Sequence, residues 1–116
     1  MDTFASLQQQ LAEADSLFLD LGDFRVHYKR VGSGPVLVLL LHGSFLSLRS
    51  WRHVMQPLSA GATVVACDRP VCGLTSRPLP RGKGTSLYTA EAQSDLIANL
   101  IPALGFERAV LVGHST

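Results

Sequence analysis

The residues Val36–Leu41 form an unbroken apolar run, VLVLLL, set between a Gly-Ser-Gly-Pro break and a His-Gly pair. A strand with apolar side chains on both faces has no side suited to water, so both faces must be covered. That places it in the middle of a helix-covered sheet. A run this short cannot span a bilayer. A second such run is Ala62–Cys67 (ATVVAC), and a third begins at Ala109 (AVLV).

Helical patterns separate these runs. Trp51, Val54, Met55 and Leu58 recur at i, i+3, i+4 and i+7, which predicts one apolar stripe with Ser50 as N-cap. Pro57 limits how far that helix extends. Thr89 is the expected N-cap of a longer helix with Ala92, Leu96, Ile97, Leu100, Ile101 and Leu104 on its buried side. Pro102 disturbs its last turn and Gly105 stops it. Strands alternating with helices imply crossover connections, hence an α/β fold with a mostly parallel sheet.

Upstream, residues 1–16 hold a short helical pattern over 4–14. Residues 17–34 read as two edge strands around a Gly22-Asp23 turn. In the second, Phe24, Val26 and Tyr28 alternate with Arg25, His27 and Lys29, which predicts a wet face carrying His27. Residues 35–116 carry the core strands, and nothing in the 116 residues reads as a linker or repeat.

Composition narrows the function classes. The chain is 47% apolar and 16% charged, which suits a packed core rather than disorder. A net charge of +1 and the absence of a basic patch argue against nucleic-acid and membrane partners. The basic cluster at 77–83 lies among Pro and Gly and is expected to be a solvated loop. No Lys or Arg precedes Arg25, so a secretory leader's basic segment is missing and a cytoplasmic location is expected. Cys67 is expected to be a buried thiol and Cys72 a loop residue, with no disulfide between them. No ligand spacing suggests a metal.

Three loops carry the chemistry. Gly113-His114-Ser115-Thr116 follows the AVLV strand and supplies the opening of G-x-S-x-G. That motif is a tight strand-to-helix turn holding a serine hydroxyl exposed, with the next amide aimed at an oxyanion. His42-Gly43-Ser44-Phe45 follows VLVLLL, and Gly43 permits close backbone approach there. Asp68-Arg69-Pro70-Val71-Cys72-Gly73-Leu74-Thr75-Ser76-Arg77-Pro78 follows ATVVAC.

In this order and on these strands, the three loops resemble the α/β-hydrolase family, over nearly the whole chain from Leu17 to Thr116. The resemblance implies an N-terminal part of that fold, truncated after its first five strands. It implies Ser115 as nucleophile, with oxyanion donors from the backbone N–H of Thr116 and of Ser44, or less well Phe45. His42, Gly43, Asp68, Gly73 and Gly113 correspond to structural loop positions. Val71-Cys72 departs from the small-then-aromatic pair usual before Gly73, which touches the loop's shape. A serine rather than an aspartate at the elbow implies cleavage of a small acyl-type substrate (ester, amide, thioester or C–C bond) through an acyl-enzyme, without metal or organic cofactor.

The family's remaining order is Ser, then Asp or Glu, then His. Both partners would follow Ser115, so the triad acid and base are not expected among these residues. His53 faces away from the helix stripe and His114 sits beside the serine on a turn. The 116-residue chain alone is therefore expected to be inactive. The alternative is a naturally truncated, non-catalytic relative that binds a ligand or partner.

Overall fold

The computed structural model describes residues 3–43, 46–70, 72–76 and 88–114. Its elements run α1 (Thr3–Leu11), β1 (Leu17–Leu21), β2 (Phe24–Val31), β3 (Val36–Leu41), a 3₁₀ turn (Leu48–Trp51), α2 (Met55–Leu58), β4 (Ala62–Cys67), α3 (Ala90–Ala103) and β5 (Ala109–Gly113). The strands form one sheet of five in the order β1-β2-β4-β3-β5.

The sheet is mixed, which corrects the expectation of a mostly parallel one. β3 pairs parallel with both β4 and β5. β1 with β2, and β2 with β4, are antiparallel. The short Gly22-Asp23 turn permits only an antiparallel hairpin. β2 is also no edge strand: it lies between β1 and β4.

β3 is covered on both faces, as its apolar run requires. On one face Leu37 and Leu39 pack with Val65, Cys67, Phe24 and Val26 beneath Leu96 and Leu100 of α3 and its C-cap Leu104. On the other, Leu40 joins Val64 and Ala66 beneath Leu48 and Met55. Thr89 caps α3 as expected, its hydroxyl accepting the Ala92 N–H at 3.0 Å. Gly105, at φ +93°, takes the left-handed conformation that ends the helix.

Two expectations fail for local reasons. The segment after β3 does not form one helix from a Ser50 cap. Ser47 caps a 3₁₀ turn instead, and α2 is only four residues long. Pro57 has no N–H to give the carbonyl of His53, and its ring collides with that carbonyl in a continuous helix. The chain breaks there, so Met55 is buried while Val54 and Leu58 stay 41% and 44% exposed. His27 is likewise not on a wet face; it is 4% exposed. Polar partners meet it inside the protein, which is what makes burial of an imidazole tolerable.

Among the described residues no helix is long and apolar enough to cross a membrane. The loop expected at 77–83 lies outside the described residues.

Candidate active site

β4 and β5 flank β3 on opposite sides, so the chain moves one way from β3 and returns the other way to β5. The 3₁₀ turn and α2 cover one face, and α3 covers the other. A crevice at the carboxyl ends of such strands, where the order reverses, is the usual ligand position in α/β sheets. Here Leu41 stands opposite Gly113 in the parallel register, so β3 and β5 leave the sheet together. The His114 N–H donates to the Leu41 carbonyl at 3.2 Å, holding the two exits side by side. The proposed nucleophile Ser115 and the proposed oxyanion donors Thr116, Ser44 and Phe45 lie outside the described residues.

What is described is the frame around them. His42 is 1% exposed. Its Nε2 accepts the Arg69 backbone N–H at 2.9 Å. An accepting Nε2 carries no proton, so Nδ1 is the protonated nitrogen, and it donates to the Gly43 carbonyl at 2.7 Å. The Arg69 guanidinium donates to the His42 carbonyl at 2.9 Å and to Gln93 Oε1 at 3.0 Å. One arginine thus ties the end of β3 to the loop after β4 and to the first turns of α3. Nothing in the sequence pattern singled out Arg69 or Gln93 for this, because the partners lie 24 to 27 residues away.

Asp68 is a second hub. Its Oδ1 accepts the Leu48 N–H and its Oδ2 the Leu74 N–H, each at 2.8 Å. The His27 Nδ1 lies 2.6 Å from Oδ2. Its backbone carbonyl takes the Thr75 hydroxyl at 2.6 Å. Gly73 follows with φ +52°, and a Cβ there would run into the Asp68 carboxylate. Position 73 therefore needs glycine twice over, for conformation and for space.

A cavity of about 490 Å³ opens beside these strand ends. It is lined by the polar side chains of His42, Arg69, Gln93 and His114 and by apolar ones including Ile97, Ile101 and Leu111. Among the described residues no three His, Cys, Asp or Glu side chains gather as metal ligands would. Both cysteines are free, Cys67 buried and Cys72 half-buried. Burial, and then the charge of Asp68, push the Cys67 thiol up to about 12. It is a packing group rather than a nucleophile at ordinary pH.

The sequence profile of a family described as alpha/beta hydrolase fold matches residues 36–116. The chain is 38% identical over 104 residues to the dihydrolipoyllysine-residue acetyltransferase component of the acetoin cleaving system of Cupriavidus necator, covering 90% of this chain and 26% of that protein. It is 38% identical over 96 residues to a fluoroacetate dehalogenase of a Burkholderia species, covering 83% of this chain and 31% of that protein. Among solved structures, an epoxide hydrolase from Vigna radiata superposes with a TM-score of 0.76 at 33% identity, over 86% of this chain and 31% of that one. The chain thus spans between 26% and 31% of the length of these relatives.

Proposed function

The chain belongs to the α/β-hydrolase fold family, and on that premise we propose that it carries the nucleophile and the oxyanion donors of a serine-dependent hydrolase of small acyl-type substrates. The observation that supports this most is the side-by-side exit of β3 and β5, with Leu41 opposite Gly113. It brings the His42-Gly43 loop and the Gly113-His114 turn to one point at the switch of strand order.

In this reading the Ser115 hydroxyl attacks an acyl carbonyl. The developing oxyanion is held by the backbone N–H of Thr116 and of Ser44, with Phe45 as the less favoured second donor. The leaving group departs, and water releases the acyl group from Ser115. His42, Gly43, Asp68, Gly73 and Gly113 act by shaping the loops. His27 and Asp68 are already joined to each other and to Ser16, so they are not proposed as partners of Ser115. The triad acid and histidine are assigned to neither.

The relatives are named for acetyl transfer, fluoroacetate dehalogenation and epoxide hydrolysis. A serine at the elbow position separates this chain from an ester intermediate built on aspartate. A second reading, acyl transfer instead of hydrolysis, is favoured by the acetyltransferase relative.

The test is turnover by the full-length protein on 4-nitrophenyl esters of graded acyl length, with and without an added alcohol or thiol acceptor. Ester hydrolysis that falls at least about 10³-fold in Ser115→Ala supports the hydrolase. Product formed only with the acceptor supports transfer. Ester turnover unaffected by Ser115→Ala would remove the nucleophile assignment.

A further inference from the structure

A Ser-His-Asp chain that the proposed elbow does not use links the segment before β1, β2 and the loop after β4. The Ser16 Oγ lies 2.7 Å from His27 Nε2, and His27 Nδ1 lies 2.6 Å from Asp68 Oδ2. We propose that Ser16 is a second acylable serine, activated by His27 and Asp68, that takes small activated esters and phosphonyl electrophiles.

The proton order follows from the surrounding bonds. Both Asp68 oxygens already accept backbone N–H groups, from Leu48 and from Leu74. The carboxylate is an acceptor, so His27 Nδ1 is the donor in their contact. With His27 as the neutral imidazole, which the proposal requires, Nε2 accepts. The Glu13 N–H donates to Ser16 Oγ at 2.9 Å, which leaves the Ser16 hydroxyl proton to point at Nε2. A serine donating to an imidazole that is oriented by a buried carboxylate is the arrangement that raises a hydroxyl's nucleophilicity.

Access and rigidity divide along the chain. His27 and Asp68 are 4% and 2% exposed. Ser16 is half-buried, between Asp15, whose side chain is 70% exposed, and Leu17 at 41%. The base is held inside the protein, and the serine it contacts lies at the boundary with solvent.

The reaction balances without a co-reactant. A bond forms from Ser16 Oγ to the acyl carbon or phosphorus, and the bond to the leaving group breaks. The hydroxyl proton passes to His27 Nε2 and then to the departing phenolate or fluoride. The amides nearest the hydroxyl are already engaged: Glu13 N–H donates to Ser16 Oγ, and Ser16 N–H donates to the Glu13 carbonyl at 3.0 Å. An oxyanion at Ser16 therefore lacks those two donors, and the expected product is a persistent adduct rather than rapid turnover.

The experiment uses full-length protein carrying Ser115→Ala, treated with 4-nitrophenyl acetate or a fluorophosphonate and mapped by peptide mass spectrometry. Ser16 is expected to be modified on the order of 10²-fold faster than the exposed Ser94, the lower range of general-base assistance. The preference is expected to vanish in a folded His27→Gln variant and, as a check free of that variant's folding, in wild-type protein unfolded in urea. Ser16 modified no faster than Ser94 in the folded protein overturns the proposal, as does a preference that persists in urea. Because the protein used has no serine at position 115, failure at Ser16 says nothing about the elbow nucleophile.

Discussion

His27 and Asp68, 41 residues apart in the chain, meet inside the protein with Nδ1 and Oδ2 2.6 Å apart. The contact joins β2 to the loop after β4, and the same carboxylate holds Leu48 and Leu74 by their amides. Asp68→Asn keeps the shape but replaces an acceptor oxygen by an amide that must face N–H groups. Leaving a buried N–H without its acceptor costs about 1–3 kcal/mol. A loss of that size is expected in denaturant unfolding of the full-length protein.

Gly73→Ala tests the same hub from the other side. The new methyl group would enter the space of the Asp68 carboxylate at a backbone φ of +52°. The left-handed conformation adds about 1–2 kcal/mol and overpacking about 1–3 kcal/mol. Gly22→Ala is the control. Its φ is +55°, yet nothing lies within 4 Å of the added Cβ, so only the conformational part is expected. Equal destabilisation by the two variants would refute the steric half of the argument.

Arg69 connects the β3 exit to α3 through the His42 carbonyl and Gln93. Lysine keeps the charge but cannot reach both acceptors with a planar fork. Arg69→Lys in the full-length protein is expected to lower kcat by about 10- to 100-fold, the range expected of a misplaced loop. KM is also expected to respond, because Arg69 lines the cavity as well as holding the loop proposed to carry an oxyanion donor. A variant with wild-type kcat would disconnect Arg69 from the chemistry.

Cys67 gives a pH-dependent prediction. In the unfolded chain the thiol titrates near its ordinary value of 9.0, whereas in the fold it is pushed up to about 12. A folded value above the unfolded one means stability that is intact below pH 9 and lost as pH rises from 9 toward 12. Iodoacetamide at pH 8 is accordingly expected to modify the half-buried Cys72 in native protein and to reach Cys67 only after unfolding. Rapid native modification of Cys67 would contradict the packing described for β4.

Much of the fold was legible because it rests on periodicity. The runs at Val36–Leu41 and Ala62–Cys67 announced doubly covered strands, and Thr89 and Gly105 marked the ends of α3. The α2 region was misread because Pro57 acts on His53 four residues back, a clash that an apolar stripe does not register. His27 was misread because alternation describes side-chain direction, not what waits on that side. Asp68 and Ser16 are the partners that make its burial tolerable, and they lie 41 and 11 residues away, outside the strand's own pattern. The Arg69 clamp was invisible for the same reason: a hydrogen bond between loops leaves no local pattern.

The central claim is that Ser115 is the nucleophile of an acyl-enzyme. Its most direct test is trapping: full-length protein is treated with a fluorophosphonate, digested and mapped for the modified serine. The account predicts a stoichiometric adduct on Ser115 that forms in step with loss of esterase activity and is absent in Ser115→Ala. Complete inactivation with no adduct on Ser115, or an unmodified Ser115 in an enzyme that still hydrolyses esters, would contradict it.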